Sequence, residues 1–415
     1  MNIRRSAAAL AAVAAVAVIG VPATAVAAPP APSGAPKLPA GLYGGADPKY
    51  DGVWRQSLAL LAQHTTGVRP AARAVDWLTG QQCADGAFAP FRADPAAACD
   101  AKVTVDTNST GAAVQALAAL GGHDAATGKA VAWLKSVQNK DGGWGYTPGG
   151  PSDTNSTAVV VGALAAAGQH PADVRKDGKS PYDALLAFAL PCAGDGAGQG
   201  AFAFQPDRQG KLAANADATA AGVVAALGQG LAATPPAHGG GAAACSDSGT
   251  ATPARAAANG ASYLAHAVAK NGFLTSVLPG STSQPDFGNT ADTVVALAAQ
   301  GGAGQAREPL QWLEGHAESW ARQSGPAAYA QLIFAARATG TDPHDFGGLD
   351  LVKALNATGP APQSSATDQG VAAAVKDSGS RHTVWWVVGG VLLVVVVGAL
   401  VLVAARRGRG AGQRP

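Results

Sequence analysis

A repeated pairing of a Gly/Trp loop with an alanine-rich helix constrains this chain more than any other feature. The clearest copy runs from Ala130 through Trp133, Gln138, Gly142, Gly143 and Trp144 to Tyr146, then from Ser152 through Asp153, Asn155 and Thr157 to Gly168. The pattern predicts a helix ending near Gln138, a turn carrying the glycines and Trp144, and a second helix opening at the Asp/Asn/Ser/Thr cluster. Self-similarity of this kind marks a repeat architecture, because one such unit cannot bury its apolar face alone and must stack on a neighbour.

Other copies run from Ala74 through Phe88 and Asp106 to Gly121, from Tyr182 through Phe202 and Asp217 to Gly228, and from Ala261 through Phe273 and Asn289 to Gly301. A fifth starts at Leu310 and lacks the Gly/Trp loop, and a partial copy begins at Asp51. Aligning the closing glycines Gly121, Gly168, Gly228 and Gly301 places Thr110, Thr157, Asp217 and Thr290 in register, together with Leu117, Leu164, Val224 and Leu297. Asp, Asn, Ser and Thr at a helix start accept hydrogen bonds from its unpaired N–H groups, and glycine suits the left-handed residue that ends a helix. Strand-type alternation is scarce. The expected class is all-α, a set of helical hairpins.

These residues resemble the prenyltransferase and squalene-oxidase repeat family. The Gln138-to-Trp144 segment matches that family's Gln, short gap, Gly-x-Trp signature, the Gln82-to-Phe88 segment follows it more loosely, and the Asp-Thr openings at Asp106, Asp153 and Asp292 look like the same superfamily. The resemblance covers roughly residues 45–350 and implies an α/α toroid, two concentric rings of helices around a cavity. Its members include triterpene cyclases, prenyltransferase β-subunits, cobalamin carriers and thioester domains, so the fold leaves the activity to be argued from the site. The Asp-x-Asp-Asp acid of squalene-type cyclases is missing, as is the Gly-Cys-Gly-Glu-Gln thioester string.

The formal net charge is +2 and 13% of the residues are charged, with no basic patch, which argues against a nucleic-acid partner. Residues 1–27 read as a signal peptide, with Arg4 and Arg5, an apolar core and Ala25-Val26-Ala27 before the cleavage point. A Pro-rich spacer over 28–44 leads to the repeat domain, 45–356. A small-residue stalk, 357–382, precedes an uncharged apolar run over 383–405, long enough to cross a bilayer, and a basic tail, 406–415. The sequence thus predicts a single-pass membrane protein with its repeats outside and its C-terminus in the cytoplasm. Four cysteines in an exported domain point to disulfides. Of the three connectivities, Cys83–Cys99 with Cys192–Cys245 is preferred, since each pair would staple one loop insertion. No spacing suggests a metal site.

Asp106, Asn108, Asp153, Asn155, Asp217, Asn289 and Asp292 recur near helix starts. Capping accounts for them one by one. In a toroid, however, inner-helix starts gather at one rim, where the same groups could hold a polar ligand. Trp144 and Tyr146 sit in the adjoining loop and join the candidate ligand-binding set, although a packing role between hairpins is the favoured reading of such aromatics. No nucleophile elbow, triad or Ser/Lys pair occurs. Two functions follow. One is a non-catalytic surface toroid that binds a small ligand, or a partner protein that supplies a lid; likeness to the cobalamin carriers suggests a corrinoid, and no resident cofactor is expected. The other is a cyclase-like or prenyltransferase-like enzyme acting on an isoprenoid lipid at the outer membrane face, with Asp153 or Asp106 as an acid kept protonated by burial. Aromatic residues make up only 6% of the chain, which speaks against an aromatic-lined cyclisation chamber.

Overall fold

The computed structural model describes residues 38–193, 198–237, 244–277, 284–301 and 303–364. The signal segment, most of the Pro-rich spacer and the stalk, the apolar run and the basic tail lie outside the described residues. Among the described residues no helix is long and apolar enough to cross a membrane. There are twelve α-helices among them: α1 (Gly52–Thr65), α2 (Ala72–Gly80), α3 (Thr107–Leu120), α4 (Asp124–Ser136), α5 (Thr154–Ala166), α6 (Pro181–Phe188), α7 (Ala216–Ala226), α8 (Pro253–Ala269), α9 (Phe287–Ala299), α10 (Ala303–Ser324), α11 (Pro326–Thr339) and α12 (Leu351–Asn356). Strand-like pairing among the described residues is limited to isolated bridges, mostly in the loops.

The odd-numbered helices form a closed inner ring, in which α1 packs on α3, α3 on α5, α5 on α7, α7 on α9, α9 on α11 and α11 back on α1. The even-numbered helices lie outside it. Composition explains this division. α5 and α7 are almost wholly Ala, Val, Gly and Thr and are buried along most of their length, so small side chains let inner helices approach from both sides. α10 carries Arg307, Glu308, Glu314, Glu318 and Arg322 and leaves a polar face outward.

Each loop is fixed by the motif residues. Gln138 Nε2 donates to the carbonyls of Gly142 (2.8 Å) and Val174 (3.2 Å), and Gln82 Nε2 does the same at Gly86 (3.0 Å) and Ala126 (2.8 Å). One amide thus holds both its own turn and the segment leading to the next hairpin. Gly142 has φ 90° and abuts the Ser180 carbonyl; Gly86 has φ 101° and abuts that of Lys129. A side chain would meet both a strained backbone and a neighbour's carbonyl. Behind the glycine, Phe88, Trp144 and Phe202 are fully buried plugs. Their N–H groups donate to Thr110, Thr157 and Thr219, four residues after the helix caps Asp106, Asp153 and Asn215.

Two expected assignments change, the register of the third repeat and the cap and plug of the fourth. The third repeat places Thr219, not Asp217, opposite its plug, because α7 is shorter before its closing Gly228. In the fourth repeat Asp286 caps α9 and Leu274 supplies the N–H to Thr290. Neither Asn289 nor Asp292 therefore opens that helix, and Phe273 stacks on Trp312 instead of plugging the loop (centroids 4.4 Å apart).

The degenerate fifth copy is a full hairpin, α10 and α11, joined at Gly325. The sixth is divided between the chain ends, with α12 outside and α1 inside. Tyr43 is its plug: Arg55, four residues after the cap position Asp51, donates from Nε to the Tyr43 carbonyl (2.9 Å), and the Tyr43 hydroxyl donates to that of Pro360 (3.1 Å). Gly44 N–H to Thr358 (2.9 Å) and Gln363 N–H to Arg69 (2.9 Å) complete the seam, so the folded ring extends past 45–356 at both ends.

Both preferred disulfides are present, Cys83–Cys99 and Cys192–Cys245, each with Cα atoms 5.6 Å apart. Replacing Cys83 and Cys99 together by serine should lower the unfolding free energy by about 3 kcal/mol, as expected for a loop of this size. Urea melts of the paired variant and the wild-type chain measure it.

Candidate functional site

The inner helices run parallel, so equivalent positions face inward together. The second helical residues Asn108, Asn155 and Asp217, and the residues one and two turns further on, border a central cavity of about 210 Å³. Its walls are mainly apolar and include Trp54, Leu58, Val159, Val224 and Phe334. At the far end a finger after α7 supplies Gly230 and Leu231. Leu231 N–H donates to Gln115 Oε1 (2.8 Å), while Gln115 Nε2 donates to the Val159 carbonyl (3.0 Å). Gly230 lies so close to Gln115 and Gly162 that no other residue fits there without displacement.

Two carboxylates project into this space. Asp217 Oδ2 accepts from Asn155 Nδ2 across two helices (2.6 Å), and Asp292 Oδ2 accepts from Gln331 Nε2 (3.0 Å). Both lie deep in the ring, and the surface they retain faces the cavity. Burial pushes the Asp292 carboxyl up to about 7, with the charge of Asp217 adding to the rise, and it raises Asp217 too. Asp286 adds like charge to both, and among the described residues no Lys, Arg or His lines the cavity. Desolvation without a cation disfavours the ionised form.

The sequence-derived candidates therefore separate. Asn108, Asn155, Asp217 and Asp292 come together around the cavity. Asp106 and Asp153 do not border it: they cap α3 and α5, accepting from Ser109 N–H (2.6 Å) and Ser156 N–H (2.7 Å). Burial raises both, Asp106 to about 6, but an acid placed there has no contact with the cavity. Asn289 folds back on its own cap, donating from Nδ2 to Asp286 Oδ2 (2.8 Å). Trp144 is packed inside its loop and donates from Nε1 to the Leu134 carbonyl (2.7 Å). Tyr146 contributes its backbone, whose carbonyl accepts from Thr107 N–H at the start of α3 (2.8 Å), while its side chain is 49% exposed. Gln331, Gln115 and Trp54 were not among the candidates. Gln331 belongs to the hairpin without a Gly/Trp loop, where repeat alignment offers no register. Among the described residues no group of His, Cys, Asp or Glu could hold a metal.

No family model matches this sequence. No curated relative matches it either. Among solved structures, the chain is similar to ent-copalyl diphosphate synthase from Streptomyces platensis, at 17% identity and a TM-score of 0.45, covering 70% of this chain and 50% of that one. It is also similar to a protein from Actinoplanes, at 16% identity and a TM-score of 0.32, covering 68% of this chain and 100% of that one. The chain spans about half the length of the synthase that it matches.

Proposed function

We propose that the double ring is a small-molecule-binding domain and that the central cavity is its site. The observation that carries this is the position of Asp217 and Asp292. Neither caps its helix, since Asn215 and Asp286 do that, and neither meets a cation among the described residues. Holding two such groups in an apolar enclosure costs stability, which the one inter-helix hydrogen bond that each accepts offsets only in part. A ligand that engages them gives the arrangement a purpose. The volume calls for a compact ligand, below the roughly 300–1,000 Å³ of drug-sized pockets. A corrinoid exceeds this cavity and would have to lie across the rim beneath a lid from a second protein. In this reading the segments outside 38–364 export the ring and anchor it at the outer face of the membrane, and the two disulfides fit an oxidising compartment.

Fragment screening by ligand-observed NMR on the full-length protein tests the site. Fragments that bind the wild type should lose binding in Ala221→Phe, which fills the cavity from α7. A screen without hits, or hits indifferent to that substitution, would refute the proposal.

One observation favours the enzymatic alternative. A carboxyl kept protonated up to about pH 7 in an apolar cavity is the acid that proton-initiated chemistry on an isoprenoid needs. In that reading Asp292 is the acid in place of Asp106 or Asp153, and a long substrate requires the Gln229–Leu231 finger to withdraw. Turnover of a polyprenyl lipid that survives in Asp292→Asn would dismiss it.

A further inference from the structure

We infer that the ligand is a protonated amine carried on a compact apolar body. The inference rests on the cavity being a binding site and names the class of molecule it takes. The Asn155 amide is engaged with Asp217, the Gln331 amide with Asp292, and the Gln115 amide with the Val159 carbonyl. Asn108 keeps its side-chain N–H groups without a partner among the described residues, so a donor remains in the wall, and what singles out a cation is the pair of carboxylates. Asn108 Oδ1 and Asn155 Oδ1 are closed off from the cavity surface, and each carboxylate accepts a single hydrogen bond, on Oδ2.

A neutral alcohol offers this site one donor. An ammonium offers three, with a full positive charge between two carboxylates that lack a counter-ion. A divalent metal fits less well, since it requires six or more oxygens around one point and most of the wall is hydrocarbon. The apolar body follows from that wall, where Trp54 and Phe334 also offer rings to a cation.

The test uses the full-length protein at pH 8, titrated calorimetrically with 2-phenylethylamine, with its neutral counterpart 2-phenylethanol, and with calcium chloride. The amine should bind at least tenfold more tightly than the alcohol, and in Asp217→Asn and Asp292→Asn that preference should fall to about one. Thermal melts confirm that both variants are folded. Equal affinity for amine and alcohol would overturn the inference and leave the binding site standing. Tight calcium binding abolished by the same substitutions would replace the amine with a metal. Binding of neither organic probe overturns the inference, and an empty fragment screen alongside it removes the site as well.

Discussion

Replacing Trp144 with alanine should lower the unfolding free energy by about 3–5 kcal/mol, at the upper end of that range. The indole is 1% exposed and sits where its loop, α4 and α5 meet. Three separate losses coincide. The apolar contact area disappears, a cavity opens that the surrounding backbone cannot fill, and the Leu134 carbonyl loses the Nε1 donor. The Trp144 N–H to Thr157 survives, because it belongs to the backbone, so the loop should keep its path while the core loosens. Denaturant melts give the magnitude. Trp144→Phe separates the terms: it restores most of the volume without the indole N–H, and should recover more than half of the loss. A drop below about 1 kcal/mol for Trp144→Ala would mean that the plug is not a keystone of the hairpin stack.

Asp292→Asn should behave oppositely and stabilise the protein at alkaline pH. The groups around Asp292 are Asp286 on its own helix, Asp217 on α7 and Gln331 on α11, so one hydrogen bond from Gln331 favours its charge and no cation among the described residues does. An ordinary aspartate titrates near 3.8 and this one near 7. Below about pH 4 the carboxyl is neutral in both the folded and the unfolded chain, and asparagine matches it. Between 4 and 7 the unfolded chain releases the proton while the fold retains it, so wild-type stability falls as pH rises. Above 7 the full penalty is present. At about 1.4 kcal/mol per pH unit, the variant should exceed the wild type by about 4 kcal/mol at pH 8 and by almost nothing at pH 4. Urea unfolding at the two pH values measures the difference. A pH-independent gain would locate the cause in packing, and a loss at pH 8 would mean that Asp292 is paired in a way this geometry excludes.

The parts of the fold that were legible in the sequence are those written locally. Gln138, Gly142 and Trp144 act within one loop, and Asp106 and Asp153 cap the helices they precede. The cysteine pairing was legible as well, although the reason held for one bridge alone: Cys83–Cys99 spans a single insertion, whereas Cys192–Cys245 joins the loop after α6 to the loop before α8 and encloses α7. Ring closure was not. α10–α11 lacks the loop that identifies the other hairpins, and α12 and α1 stand at opposite ends of the chain, where no alignment joins them. The site was half legible for a related reason. Composition marks a cluster of polar residues at each inner-helix start, but helical phase decides which of them face inward. The cap points along the backbone, and the second residue faces the cavity. Asn108, Asn155 and Asp217 share that phase. Asp292 is one turn deeper, and the corresponding second residue of α9 is Gly288, which has no side chain to offer. Counting back from the closing glycine aligns Asp286 with the caps Asp106 and Asp153, each fifteen residues ahead of its glycine, and fails only for α7, whose cap Asn215 stands thirteen ahead of Gly228.

The divided sixth hairpin has a kinetic consequence. Five hairpins can form from neighbouring segments as they emerge, each making mainly short-range contacts. The last cannot: the Tyr43 hydroxyl and the Pro360 carbonyl are separated by 317 positions in the chain. Fastening that clasp carries the largest loop-closure entropy in the molecule and comes after the rest of the ring has brought its ends together. Until then the stack is an open crescent with an unpaired face on α1 and another on α11, the two inner surfaces that a second unfinished chain could exchange.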